Sequence, residues 1–363
     1  MRHFWRATGV FVLLAFQFAG SGQCQSISVL QASVVTLPTP IDSNSPAHWW
    51  NGRFVLFNAM GTPYRSEGVD QFNLNDPAQV SFGAYQPTPL WIEATWMDDD
   101  GTLFAWYHHE PGGVCSDSYL TAPKIGAMVS YDNGLSFQDL GIVLESGDPV
   151  DCTARNGFFA GGNGDFTVIA DAGRNFFYFL YSNYGGSVST QGVAIARMCF
   201  KDRMTPVGAV RKYHDGSFSE PGLGGQVTPI FPAKISWVAS DTDAFWGPSV
   251  HWNTALNKFV MLLNHSCCSP GWPQEGIYLS TNADLADPAG WSQPVRILNA
   301  YGWYPQVIGE GPGETDKVAG AVARLYIGGW SWTELVISDD PPPPDPDSHS
   351  IGIPPLIRTS PTP

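Results

Sequence analysis

One phrase recurs five times along this chain. A short apolar run, a turn rich in Asn, Asp and Gly, and a second apolar run begin at Ala47 (AHWWNGRFVLFNA), Glu93 (EATWMDDDGTLFAWYHHE), Gly164 (GDFTVIADAGRNFFYFLYS), Gly247 (GPSVHWNTALNKFVMLLNHS) and Tyr304 (YPQVIGEGPGETDKVAGAVARLYIGG). The turn residues tolerate positive φ and the flanking runs pair, so each copy reads as a β-hairpin. Those starting positions lie about 46, 71, 83 and 57 residues apart. Hairpin repeats on a spacing of roughly 40–50 residues mark the blades of a propeller.

A second repeat follows the first. Short Gly-led strands begin at Glu67 (EGVDQF), Ile125 (IGAMVS), Gln191 (QGVAIA) and Glu275 (EGIYLS), and further strand-like runs begin at Leu135 and Trp291. Each blade therefore reads as four antiparallel strands, and the fold class is all-β, a five-bladed β-propeller. The fifth blade is shorter, with TELVIS from Thr333 as its third strand. The apolar, β-branched SISVLQASVV from Ser26 is expected to close it and so remove an open sheet edge.

The 363 residues suffice for one large domain, expected over 25–337, and the 39 Gly, 30 Pro and 13% aromatic residues suit many tight turns and flat packing between blades. A net charge of −15 makes nucleic acid and anionic membrane surfaces poor partners. Residues 1–24 read as a signal peptide: Arg2, His3 and Arg6 precede an apolar run from Val10 to Ala19 that is too short to span a bilayer. The expected destination is periplasmic or extracellular, and the mature chain is expected to have no transmembrane segment. A lipid anchor at Cys24 is the lesser expectation, because Gln23 fits such a site poorly. In an oxidising compartment Cys115 and Cys152, which bracket the outer part of the second blade, are expected to pair. The proline-rich segment 338–363 cannot bury a core and is expected to be disordered.

In a propeller the starts of the innermost strands line a central funnel. Aligning the hairpins places Ser45, Glu93, Asp165, Trp246 and Tyr304 near that position, with Asp42 and Asp243 close by. Glu67, Gln191 and Glu275 head the third strands. Carboxylates with aromatic rings suit sugar chemistry: one acid protonates the leaving oxygen and a second carboxylate activates water. The expected catalytic residues are Glu93, Asp165, Asp243 and Glu275; the expected substrate-binding residues are Trp246, Trp49, His108, Gln191 and Tyr304. Glu93, in an apolar strand, is expected to hold its proton as the acid. Asp165, flanked by glycine and more hydrated, is expected to be the base. His108, His109 and Glu110 invite a metal reading, but alternate strand residues face opposite sides, so one histidine at most joins Glu110. No metal or cofactor is expected, apart from a structural Ca2+ that the sequence leaves open.

The segment IGAMVSYDNGLSFQDLGIVL, Ile125 to Leu144, resembles a strand pair of the five-bladed glycoside hydrolases of families 43, 32 and 130, and EGIYLSTNADLADPAGWSQPVRIL from Glu275 is similar in the same way. Within the first, SYDNGLSF also fits the sialidase Asp box, which makes Asp132 a structural residue of the outer rim. The resemblance implies an Asp at the head of the first blade, where this chain has Ser45 with Asp42 slightly earlier. It implies an acid at the head of the second, matched by Glu93, and a general acid at the head of the third, where Asp165 replaces the usual Glu. The expected function is a secreted glycan-active enzyme, monomeric and acting on an oligo- or polysaccharide. The alternative is a glycan-binding propeller without catalysis.

Overall fold

The computed structural model describes residues 26–83, 88–116 and 118–338. The expected signal segment, Cys24 and the tail beyond Ser338 lie outside the described residues. Five mostly antiparallel sheets follow one another along the chain as blades I to V. Their innermost strands are Ala47–Trp50, Leu90–Met97, Asn163–Ala170, Ala244–Asn253 and Pro305–Gly309. Each pairs with the second strand of its own hairpin, as the repeat requires. Among the described residues no helix is long and apolar enough to cross a membrane.

The ring closes through the N-terminus. Ser26–Thr36 pairs antiparallel with Trp330–Ser338, the outer strand of blade V. Ile27 and Val29 are thereby buried against the same apolar cluster as Leu325 and Leu335.

Every junction between blades has its own apolar core, and period-2 alternation builds them. In Phe176–Asn183, Phe177, Phe179 and Tyr181 face blade II, while Tyr178 and Leu180 face blade IV. In Lys258–Ser266, Val260 and Leu262 face blade V, while Met261 and Leu263 face blade III. A strand buried on both faces has no polar side to show, which is why these runs read as continuously apolar.

Two departures from the repeat change what the blades present. In blade I the third strand is Pro63–Gly68, so Glu67 lies at its end, not at its head. Gly61, at φ +76, turns the chain within three residues, and the third strand starts early. Glu67 there pairs with Arg65 at 2.8 Å and Arg53 at 3.7 Å. In blade III an added hairpin, Arg211–His214 with Ser217–Pro221, extends the outer edge and lengthens the third repeat. Between blades II and III, the expected disulfide joins Cys115 to Cys152 with a Cα–Cα distance of 5.6 Å. Cys267 and Cys268 form a second, vicinal disulfide.

Candidate active site

Two bulges aim the central carboxylates. In blade II the register shifts between Ile92 and Ala94, and in blade III between Gly164 and Phe166. The unpaired residues are Glu93 and Asp165. A bulge leaves one residue out of the ladder and redirects its side chain. Asp165 reaches this position with φ +40, a region that Asp tolerates better than most residues. The register shift in blade IV falls between Trp246 and Ser249, so that blade presents Gly247 and Pro248 instead of an acid.

Glu93, His108 and Asp165 meet in one network. The Phe166 N–H donates to Glu93 Oε2 at 2.8 Å, and the Asp165 N–H donates to His108 Nδ1 at 3.0 Å. His108 Nδ1 lies 3.3 Å from Glu93 Oε1 and 3.9 Å from Asp165 Oδ1, and its Nε2 lies 3.2 Å from Glu110 Oε1. Alternation thus puts His108, not His109, with Glu110; His109 turns away to the Pro89 carbonyl at 2.9 Å. The Tyr184 hydroxyl donates to Asp165 Oδ2. Glu93 and Asp165 are 1% and 3% exposed.

The approach to blade I supplies a third carboxyl. Asn44 donates to the carbonyls of Phe166 and Pro248 at 3.2 and 3.3 Å, so this segment crosses the axis to blades III and IV. Ser45 is held by Gln306 and Asn58. Asp42, half-buried, is left facing the cluster, within electrostatic reach of Asp165, Glu110 and His108.

These groups compete for protons. Burial and the charges of Asp165 and Glu110 push Asp42 up to about 7, against the pull of His108. Burial and the Glu93 charge push Asp165 up to about 7, although His108 and the Tyr184 hydroxyl favour its ionised form. Burial raises Glu93 as well. For His108 burial acts downward, but the contacts with Glu110 and Glu93 and the charge of Asp165 outweigh it and raise the group. The Asp165 N–H directed at Nδ1 requires a lone pair there, which favours the shared proton on Glu93 over a doubly protonated ring. The expectation of a hydrated Asp165 is therefore corrected: it is 3% exposed, its carboxyl takes the hydroxyl of the buried Tyr184, and Phe159 packs against that ring with centroids 4.4 Å apart.

Several expected site residues lie elsewhere. Asp243 and Glu275 hold His265 between them, at 2.9 Å to Nε2 and 2.7 Å to Nδ1. Lys234 lies 3.8 Å from Asp243, and Arg296 3.5 Å from Glu275. Neither acid shares a hydrogen bond or ion pair with Glu93, His108 or Asp165 among the described residues. They flank the end of the second strand of blade IV, a position set by His265 and not by an inward bulge. Trp49 packs edge-on against Phe54 and donates to the Glu314 carbonyl at 2.8 Å, in the junction of blades I and V. Gln191 is spent on backbone: its Oε1 accepts from Trp237 N at 2.8 Å and its Nε2 donates to Gly186 O at 2.9 Å. Trp246 is buried and donates to Ser266 Oγ at 2.9 Å. Tyr304 is buried beside Trp246, its hydroxyl pushed up by burial and by the charges of Asp165, Asp42 and Glu93. Trp246 and Tyr304 belong to an aromatic cluster with Phe159, Tyr184, Trp237 and Trp272 on the side of blades III to V.

Among the described residues, two sets of side chains bring ligand atoms within 4.8 Å of one another: Glu93, His108 and Asp165, and Asp243 with Cys267 and Cys268. In the first, backbone N–H groups and the Tyr184 hydroxyl already point at the lone pairs a cation would need. In the second, the two sulfurs are bonded to each other.

No family model matches the chain, and no curated protein matches it in sequence. Among solved structures, it is similar to an α-L-arabinanase from Cellvibrio cellulosa in complex with arabinohexaose: 13% identity over 82% of this chain and 92% of that one, with a TM-score of 0.46. An endo-arabinase from Bacteroides thetaiotaomicron gives 11% identity, 84% and 96% coverage and a TM-score of 0.47. A family 43 glycoside hydrolase from Bacillus licheniformis gives 12%, 84%, 72% and 0.46. The five-bladed architecture itself rests on the strand pairings described above.

Proposed function

We propose that this protein is an exported enzyme that hydrolyses glycosidic bonds of an oligo- or polysaccharide. The observation that carries the proposal is the convergence of Asp42, Glu93 and Asp165 on His108, with Asp42 and Asp165 both raised to about 7. Hydrolysis of a glycoside needs one carboxyl that gives a proton and one that takes a proton near neutral pH. Two carboxyls that each ionise near neutrality carry about one proton between them, which meets that need.

Roles follow from exposure. Asp42 is the half-buried member, so of the three carboxyls it is the one that meets water or the sugar. Asp165 is its partner in proton exchange. Glu93 is fully buried and bound to backbone; with His108 it sets the protonation of the other two and does not touch substrate. Asp243 and Glu275 have no part in this scheme. The solved structures named above are themselves arabinan-active or family 43 proteins, so arabinans and arabinofuranosides head the substrates to be tried.

One observation favours the second reading, a glycan-binding propeller: Glu93 and Asp165 are nearly inaccessible. A single experiment separates the two. Purified protein is incubated with a panel of aryl glycosides and plant polysaccharides, and both released sugar and bound polymer are measured. Release of reducing sugar is the expected result; binding to a polymer with no release on any substrate contradicts the enzymatic reading.

A further inference from the structure

Beside the carboxylate cluster, and separated from it by one side chain, lies a cavity of about 500 Å³. Val150, Asp151, Thr153, Tyr184, Gly186 and Val238 line it. Its volume falls in the range of roughly 300–1,000 Å³ in which small ligands are bound. Tyr184 is the shared wall: it faces the cavity, and its hydroxyl donates to Asp165.

The walls are fixed in advance. The Cys115–Cys152 disulfide ties down the segment that carries Val150 to Thr153. Asp151 N donates to the Ala160 carbonyl at 2.7 Å and Arg155 N to the Val238 carbonyl at 2.8 Å. The buried Asn156 accepts from the N–H groups of Phe158 and Phe159 and donates to the carbonyls of Phe159 and Trp237. On the opposite wall, Asn183 donates to the carbonyls of Gly185 and Thr190 at 3.2 and 2.7 Å, and Gln191 donates to that of Gly186. Gly186 sits at φ +80, where a Cβ would meet Asp148 at 2.9 Å, so glycine is what keeps this wall back. A ligand entering such a cavity does not have to order it, which is where a preformed site gains affinity.

The charges select the occupant. Among the described residues no lysine or arginine lines the cavity, and Asp151 is held ionised by hydrogen bonds from the Thr153 hydroxyl and N–H. Asp148 stands beside Gly186. Anionic ligands are repelled; an uncharged ligand with several hydroxyls finds carboxylate and carbonyl acceptors there. Behind Tyr184, the side chains of Trp237, Trp246, Trp272 and Tyr304 are buried together in one apolar cluster. We infer that this off-axis cavity is a binding pocket for one uncharged saccharide unit, placed against Asp165 across Tyr184, and that it excludes uronates; the inference rests on the glycan-active function proposed above.

Ligand-detected NMR tests it with D-xylose, D-galactose and D-glucuronate as probes, on wild type, Val150→Trp and Thr153→Trp. Val150 and Thr153 are exposed at the rim, so a bulky ring there blocks the cavity without entering the core. The expected result is binding of at least one neutral sugar by wild type, weakened by about tenfold or more in both rim variants, with D-glucuronate bound more weakly by about the same factor. Unchanged binding in both rim variants overturns the pocket, as does preference for D-glucuronate or no neutral sugar bound by wild type. The two proposals fail separately. Sugar release with a KM unchanged by Val150→Trp rejects the pocket and leaves the hydrolase standing. Binding that the rim variants abolish, in a wild type that cleaves nothing, supports the pocket and rejects the hydrolase.

Discussion

Asp165 owes its direction to one residue too many in its strand. The bulge between Gly164 and Phe166 turns its carboxyl toward His108, and Glu93 sits in the matching bulge of blade II. Burial then makes both acids hold protons that an exposed carboxylate would lose. A carboxyl raised from 3.8 to about 7 on folding keeps its proton where the unfolded chain has released it. Its contribution to stability therefore declines as pH rises from about 4 to about 7, by at most about 1.4 kcal/mol per pH unit for each proton. His48 and His251, pushed down by burial to about 4 and about 3, act in the opposite sense: below pH 6.5 the unfolded chain takes up their protons first. Comparing wild type with Asp165→Asn cancels the histidines. Urea unfolding should show the variant gaining stability relative to wild type between pH 4 and pH 7; a pH-independent difference contradicts the raised carboxyl. Glu93 and Asp165 were legible because a carboxylate in an apolar strand stands out and because the hairpins align them. Tyr184 was not, since nothing in YSNY says which tyrosine turns inward. Asp42 was visible only as a nearby acid, because its approach to the axis has no counterpart in the other repeats.

Among elements, the hairpins were the most legible part of the chain. Apolar runs around Asn, Asp and Gly turns leave little freedom in pairing or register. The outer strands were less so. Glu67 was placed at the wrong end of its strand because the turn at Gly61 is short and lacks an Asn-Gly or Asp-Gly pair. The hairpin over Asp215 and Gly216, at φ +44 and +87, does carry a strong turn signal, but it is an insertion without a partner in the repeat. The connection from Ser136–Leu144 of blade II to Asn163–Ala170 of blade III is long, and there the Cys115–Cys152 bond closes a loop with a sequence separation of 37. By loop-closure entropy such a bond contributes about 3–4 kcal/mol. The double variant Cys115→Ser, Cys152→Ser should lose about that much in reversible denaturant unfolding. A loss below about 1 kcal/mol would show that the rest of the loop holds itself in place.

The whole molecule is a ring whose junctions are apolar and whose axis is polar. Asn44 spans blades III and IV, and Lys317 reaches Thr167 at 2.6 Å and Asp316 at 3.0 Å, so the axis is packed with paired polar groups below the carboxylates. Closure of blade V by Ser26–Thr36 holds the five inner strands in register around that axis, and the relative position of acids from blades I, II and III depends on it. The ring was legible from repetition; the contents of its axis were not, because they come from approach segments outside the repeat. The central claim is that Asp42 and Asp165 exchange protons during cleavage of a glycosidic bond. The most direct measurement is the pH dependence of sugar release by wild type, Asp42→Asn and Asp165→Asn on one substrate that wild type cleaves. The account predicts a bell-shaped wild-type profile centred near neutrality and a loss of about 100-fold or more in kcat for each amide variant, with one limb of the bell missing. Turnover and profile unchanged in both variants would contradict it.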